Sequence, residues 1–297
     1  MSSSPPPGIL QEVERALRPS VEGGGTGVRT APVGGGCVNQ AVRLQTDSGD
    51  SFFLKWNPEA PPDLFKAEVE GLRALGRTGS VRVPTVLGVG SHWILLEFVE
   101  EGPVPSSFGR TLGRTLARLH DTGGEAYGWD RDNFIGPLPQ VNGRRRRWME
   151  FWRERRILPQ LRRAVDGGAL GSADAQAAEK VADSVDLLLD DSALRPSLLH
   201  GDLWSGNVMA DPDGAPVLVD PAVYLGHREV DLAMAELFGG FPRDFLPSYR
   251  EAAPLPPGYD EVRRDVYQLY PLLVHVNLFG GGYVGSLMAR VRKLLRV

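Results

Sequence analysis

A single cysteine, Cys37, in 297 residues leaves no partner for an intramolecular disulfide and excludes zinc sites built on several thiolates. Lysine is nearly as scarce. Among 33 basic residues only Lys55, Lys66, Lys180 and Lys293 are lysines, so each can be weighed separately. Basic excess is missing as well: the formal net charge is -4, which gives nothing for a phosphate backbone to hold, and nucleic acid is not an expected partner. No apolar run approaches the roughly 20 residues of a membrane-spanning helix, and the Ser/Pro-rich start Met1 to Gly8 has neither a basic cluster nor an apolar stretch. Neither export nor membrane insertion is expected, and a reducing cytoplasm suits the lone thiol. The phosphate-loop pattern G-x-x-x-x-G-K-[ST] is absent, which leaves a P-loop nucleotide enzyme unsupported.

What is present is a chain, 42% hydrophobic, able to bury a large core as one domain or as two lobes sharing a cleft. Residues 9–17 have helical apolar spacing, and a glycine-dense stretch follows from Gly23 to Gly36. Strand patterns at 41–46 and 51–56 flank Asp47-Ser48-Gly49-Asp50, a hairpin composition. Pro61-Pro62-Asp63 opens a helix whose stripe is Leu64, Phe65, Val69, Leu72 and Leu75. Strands at 85–89 and 93–99 complete a small unit. From Ser106 the pattern turns helical, at 108–119, 148–165, 173–189 and 262–279, with short strands only around 198–220. The spacing predicts an α+β protein divided at Glu100-Glu101-Gly102-Pro103: a β-rich lobe, 1–99, and a larger, mainly helical lobe, 100–297. The junction is a natural place for a ligand.

The segment His200-Gly201-Asp202-Leu203-Trp204-Ser205-Gly206-Asn207 delivers an acid and then an amide on a short loop. After the turn Asp211-Pro212-Asp213-Gly214, a second apolar strand ends in Asp220. Each of these residues alone is more often a turn or a cap than a catalyst. In this order they form the set that phosphoryl transfer needs: a carboxylate to take the proton of an attacking hydroxyl, and oxygen ligands to hold Mg²⁺ on the phosphates. The spacing from Asp202 to Asn207 equals that from acid to amide in H-R-D-L-x-x-x-N, and Asp220 falls at the acid of D-F-G.

Such chemistry needs upstream partners. Phe52-Phe53-Leu54-Lys55 ends a strand on a lysine, as the phosphate-pairing V-A-I-K element does, although a solvent-facing lysine is the ordinary alternative. Glu68 lies one turn from both Leu64 and Leu72, whereas Glu70 lies off the stripe, so Glu68 is the expected partner of Lys55. Gly34-Gly35-Gly36 precedes the hairpin and can bring backbone amides close to phosphate. Cys37, beside it, reads either as a small buried hydrophobe or as an exposed redox-sensitive thiol. Glu97 and Val99, at the end of the last small-lobe strand, can offer main-chain groups to an adenine ring.

These residues bring out a family. Residues 200–207 resemble, with Asp220 to Ala222, Tyr224 to Asp231, Phe238 to Pro242, Gly34 to Cys37, Asn133 to Asn142 and His275 to Tyr283, the fructosamine kinase and ketosamine-3-kinase pattern across nearly the whole length. That family is related to aminoglycoside and choline kinases. The resemblance implies a protein-kinase-like bilobal fold, with a small antiparallel sheet in the first lobe. It also implies ATP- and Mg²⁺-dependent phosphorylation of the 3-hydroxyl of fructosamine or ribulosamine adducts on amines or protein lysines, after which the adduct is shed. By the same resemblance Asp202 is the base and Asn207 and Asp220 bind metal. Lys55 and Glu68 order the phosphates, Trp204 shapes the sugar site with His200, Trp148 and His227 as further substrate residues, and Cys37 resembles a thiol used for redox-dependent pairing of two chains. One departure stands out: where relatives carry W..DDW, this chain has Arg144-Arg145-Arg146-Arg147-Trp148. Arginines in place of acids would select an anionic adduct over a cationic one. They leave open another small-molecule hydroxyl, of the aminoglycoside, choline or sugar type, and a non-enzymatic redox-responsive nucleotide binder is the third reading.

Overall fold

The computed structural model describes residues 4–17, 28–33, 39–189 and 194–297. Gly34, Gly35, Gly36 and Cys37 therefore lie outside the described residues. The first compact unit comprises residues 1–108 together with 206–221. It opens with α1 (Pro7–Leu17), followed by β1 (Val28–Pro32), β2 (Gln40–Thr46) and β3 (Ser51–Trp56), then α2 (Leu64–Arg77), β4 (Val86–Val89) and β5 (Trp93–Glu97). The five strands form one antiparallel sheet in the order β1-β2-β3-β5-β4. Side chains alternate between its faces. Val42, Leu44, Phe52, Leu54 and Trp56 gather on one face with Trp93, Leu95 and α1 residues Val13 and Leu17. Lys55, between Leu54 and Trp56, must point the other way, toward the buried stripe of α2.

The second unit comprises residues 109–205 and 222–297. Along the chain come α3 (Phe108–His120), β6 (Asn133–Ile135), β7 (Leu138–Gln140), α4 (Trp148–Phe151), α5 (Leu158–Asp166), α6 (Ser172–Asp183), α7 (Val185–Leu188) and β8 (Ser197–Leu199). After the excursion of β9 (Val208–Ala210) and β10 (Pro216–Leu218) into the first unit come β11 (Tyr224–Gly226), α8 (Glu229–Phe238), α9 (Phe245–Ala252), α10 (Arg264–Phe279) and α11 (Val284–Leu294). A large core cluster of this unit runs from Trp148, Phe151 and Trp152 through Tyr224 to Tyr267, Tyr270 and Leu287. A π-helical stretch, Trp152–Ile157, joins α4 to α5. Just beyond it Pro159 has no N–H for the carbonyl four residues back. That carbonyl, of Arg155, is taken instead by Arg156 Nη1 at 3.0 Å.

Two differences from the sequence reading matter. Strands β6, β7 and β11 lie outside the stretch expected to hold short strands; each is three residues long, below what period-two alternation can reveal. The division expected after Val99 falls instead near Phe108, and Gly206–Pro221 returns to the first unit. The return is held by main chain: Leu218 N–H donates to the Arg82 carbonyl at 2.9 Å, and Gly102 N–H to the Ala210 carbonyl at 2.9 Å. Arg82 adds a side-chain bridge, reaching Asp211 at 2.6 Å and Glu97 at 2.8 Å. Among the described residues no helix is long and apolar enough to cross a membrane.

Candidate active site

The first unit holds a three-charge cluster. Lys55 Nζ donates to both oxygens of Glu68, at 3.0 and 2.9 Å, and to Asp220 Oδ1 at 2.9 Å. Sheet register places Lys55 opposite Ala41 and Ile94, and the 3.6-residue period of α2 places Glu68 in its buried face; Glu70 is half-buried. Burial works against the Lys55 ammonium, but the Asp220 and Glu68 carboxylates outweigh it and hold its pKa above the ordinary value. Burial pushes the Glu68 carboxyl up, against the pull of Lys55. Both directions follow from one ammonium shared between two carboxylates, the deeper of which loses most hydration.

Asp220 is the exposed member, with 45% of its side chain accessible, and its backbone is left-handed at φ 54°. Aspartate tolerates that region better than most residues, yet a strained backbone at an exposed carboxylate is typical of a functional position. Asn207 belongs to the same unit and is buried, and its carbonyl accepts from Val219 N–H at 3.1 Å. A carboxylate and an amide are hard oxygen donors, and the cluster carries one negative charge in excess. Among the described residues no group of three or more His, Cys, Asp or Glu side chains could cage a metal. The chemistry of these two donors, one anionic and one neutral oxygen, is of the kind a hard divalent cation takes. Glu97, offered above to a nucleotide, has its carboxylate engaged: besides Arg82, it accepts from Thr85 N–H and Oγ1, both at 3.0 Å. Val99, two residues on, is half-buried.

Asp202 belongs to the second unit, on a loop fixed from three sides. The buried Asp231 carboxylate accepts from His200 N–H at 2.7 Å and Gly201 N–H at 2.9 Å. It also meets His120 Nε2 at 3.2 Å, while His120 Nδ1 lies 2.8 Å from Tyr249 Oη. Ala222 N–H donates to the His200 carbonyl at 2.9 Å. Gly201, at φ +83°, is packed so that a Cβ would overlap the Ala222 carbonyl. The sequence named Asp231 only as the end of the Tyr224 to Asp231 motif and gave it no role; the further signal was an acid inside the apolar run Val230, Leu232, Ala233, Met234.

Two expected outcomes follow. Asp231→Asn replaces one acceptor oxygen by a donor facing backbone N–H groups and His120. It should lower stability by about 1–3 kcal/mol and reduce kcat about tenfold, with little change in KM for ATP; thermal unfolding and steady-state kinetics check both. Gly201→Ala should cost about 2–4 kcal/mol by strain and overlap. Gly168, at φ +70° with open space around it, supplies the comparison in which only the backbone term acts.

The remaining expected substrate residues divide by exposure. Trp204 is 40% exposed. His200 and Trp148 are 0% exposed and have no free surface to offer a ligand. His200 Nδ1 accepts from Asp202 N–H at 3.3 Å, and Trp148 packs on Tyr127, Phe151 and Trp152. His227 is buried against Tyr267, whose hydroxyl is 2.8 Å from Nδ1, and burial together with Arg263 and Arg228 holds its pKa well below the ordinary value. A buried amide network was not foreseen from the sequence. Gln140 Nε2 donates to Asn133 Oδ1 at 2.8 Å and to the Ala222 carbonyl at 3.0 Å. Asn142 Nδ2 donates to Asn133 Oδ1 at 2.6 Å, and the buried Arg156 reaches Asn142 Oδ1 at 2.7 Å while lying over the Tyr224 ring. The network fixes the segment against which Gly201 packs.

The fold is kinase-like. It superposes on a thermostable mutant of an aminoglycoside phosphotransferase with a TM-score of 0.62 over 95% of this chain and 98% of the other, and at 16% identity that likeness concerns the fold alone. A candidate fructosamine-3-kinase from Thermobifida fusca matches more closely, with a TM-score of 0.83, 41% identity, and coverage of 91% of this chain and 94% of that one. A chloroplastic protein-ribulosamine 3-kinase of rice (Oryza sativa subsp. indica) is 40% identical over 279 residues, 92% of this chain and 80% of the relative. The fructosamine kinase family model matches residues 10–297, and the chain belongs to that family of ATP-dependent phosphotransferases.

Proposed function

We propose that this protein transfers the γ-phosphoryl group of ATP to the 3-hydroxyl of ketoamines, fructosamine or ribulosamine adducts of amines or protein lysines, and so starts their removal. The observation that carries the reading is the hydrogen-bonded set Lys55, Glu68 and Asp220 in a chain of this family. Lys55, steadied by Glu68, binds and orients the nucleotide phosphates, with backbone of Gly34 to Gly36, Glu97 and Val99 as further nucleotide contacts. Asn207 and Asp220 hold Mg²⁺, which supplies neutralisation of phosphate charge when bound. Asp202 accepts the proton of the attacking hydroxyl as its oxygen bonds to the γ-phosphorus and the bond to the β-phosphate oxygen breaks, releasing ADP. Trp204 offers ring surface to the sugar.

The arginine run lends no weight to another acceptor class. Arg144 pairs with Asp130 at 2.5 Å, Arg145 with Glu150 at 2.6 Å and Glu154 at 3.1 Å, and Arg147 with Asp186 at 3.5 Å. Acids brought in from elsewhere neutralise three of the four. Incubation with MgATP and a panel of ribulosamine, fructosamine and unglycated hydroxyl compounds, read by ³¹P NMR, should show a new phosphate ester only on the ketoamines. Phosphorylation confined to an unglycated compound would overturn the reading. Pairing of two chains through Cys37 rests on the family resemblance; non-reducing electrophoresis after mild oxidation should show a dimer that Cys37→Ala lacks.

A further inference from the structure

We propose that Phe238, Phe279 and Tyr283, gathered around His275, form the subsite for the amine-bearing arm of the ketoamine, and that its occupant is the alkylammonium chain of a glycated lysine. The proposal rests on the ketoamine reading above and adds to it what selects the amine. His275 is the hub: its ring centroid lies 4.5 Å from that of Phe238, 5.4 Å from Phe279 and 4.9 Å from Tyr283, and Phe279 lies 6.1 Å from Tyr283. Large apolar rings are usually buried, yet Phe238 is 36% and Phe279 51% exposed.

Local structure explains why this face stays open. His275 and Phe279 are four residues apart on α10 and share one side of it, while Asn277 is turned away and anchored to Gln160 through the carbonyl at 3.0 Å and Oε1 at 2.8 Å. Gly280, at φ +79°, ends the helix, and Cβ atoms built at Gly280, Gly281, Gly282 or Gly285 would meet nothing within 4 Å. The rings thus border space that the chain leaves bare. Its place suits a substrate arm: Phe238 ends α8, and two residues on Gly240 packs so tightly on Ser205 that a Cβ there would overlap it. Ser205 follows Trp204 on the loop that carries Asp202.

The chemistry selects a cation on an apolar stem. A ketoamine nitrogen is a secondary amine, protonated near neutral pH, and a lysine adduct adds a four-carbon stem and its own backbone. Ring faces attract ammonium and cover methylene groups. His275 Nδ1–H donates to the Pro271 carbonyl at 2.8 Å, and burial lowers its pKa despite that bond, which disfavours a charge on the hub that would repel the cation. A carboxylate arm close to the nitrogen would meet the same electron-rich faces unfavourably.

The test compares two adducts of one sugar, the ribulosamine of the lysine side-chain amine in an α-blocked lysine amide and the ribulosamine of glycine. Phe279→Ala and Phe238→Ala, at partly exposed positions that threaten folding little, should each lower the lysine-to-glycine ratio of kcat/KM about tenfold. The change should lie in KM, and Phe279→Tyr should restore it. An unchanged ratio, or an equal fall in kcat for both adducts, would overturn the proposal. So would an unchanged ratio with a dimer dissociating in sedimentation, which would make the patch a contact between copies. Turnover of neither adduct by the unaltered protein would instead remove the ketoamine reading, and this proposal with it.

Discussion

Asp202→Asn should bind MgATP with wild-type affinity while losing kcat by about 10³-fold, a general base contributing on the order of 10²–10⁴. The substitution keeps shape and volume and removes only the capacity to take a proton. The loop should not collapse, because its geometry is set elsewhere: Asp231 holds the N–H groups of His200 and Gly201, and Ala222 holds the His200 carbonyl. Nucleotide titration by calorimetry separates binding from turnover, and a variant turning over within tenfold of wild type would strip Asp202 of the assigned role.

Lys55→Met should show the other large effect, on stability and activity together. It leaves Glu68 buried without its cation, a change costing about 3 kcal/mol. The Asp220 arm adds little, since that carboxylate is nearly half-exposed and screened by water. Activity should fall about 100-fold with a higher KM for ATP, as the phosphates lose their point charge. Adding Glu68→Gln removes the stranded charge, so the double variant should regain much of the melting temperature and none of the turnover. Recovery of both would mean that Lys55 serves the fold alone.

The parts of this molecule that could be read from its sequence are those in which one local period carries the information. Alternation in Phe52 to Trp56 turned Lys55 away from its apolar neighbours, and the stripe of α2 singled out Glu68. The acid, amide and second acid between Asp202 and Asn207 and at Asp220 stood out because their order is rare. Illegible features depend on residues distant along the chain. Asp231 matters through backbone groups 30 and 31 positions away, and a carboxylate receiving main-chain N–H groups leaves no pattern in composition. Gln140, Asn133 and Asn142 stand in a segment that carries the family resemblance, but nothing in the sequence shows that folding joins them in one buried network. The arginine run looked like an isolated block of positive charge, because Asp130 and Asp186 arrive from distant segments and Glu150 and Glu154 reach Arg145 only once the following helix has formed. His200 and Trp148 belong to informative motifs yet are enclosed, since a motif records that a side chain matters and not which way it faces.

The return of Gly206–Pro221 to the first unit bears on how this enzyme could be dissected. A fragment stopping at Val99 would contain Lys55 and Glu68 but neither Asn207 nor Asp220, and would expose the main-chain groups of Arg82 that Leu218 occupies. Such a piece would lack both residues proposed above to hold the metal. Circular permutation or splitting would need to keep the excursion whole, with new ends elsewhere, for instance in the exposed turn Asp47 to Asp50.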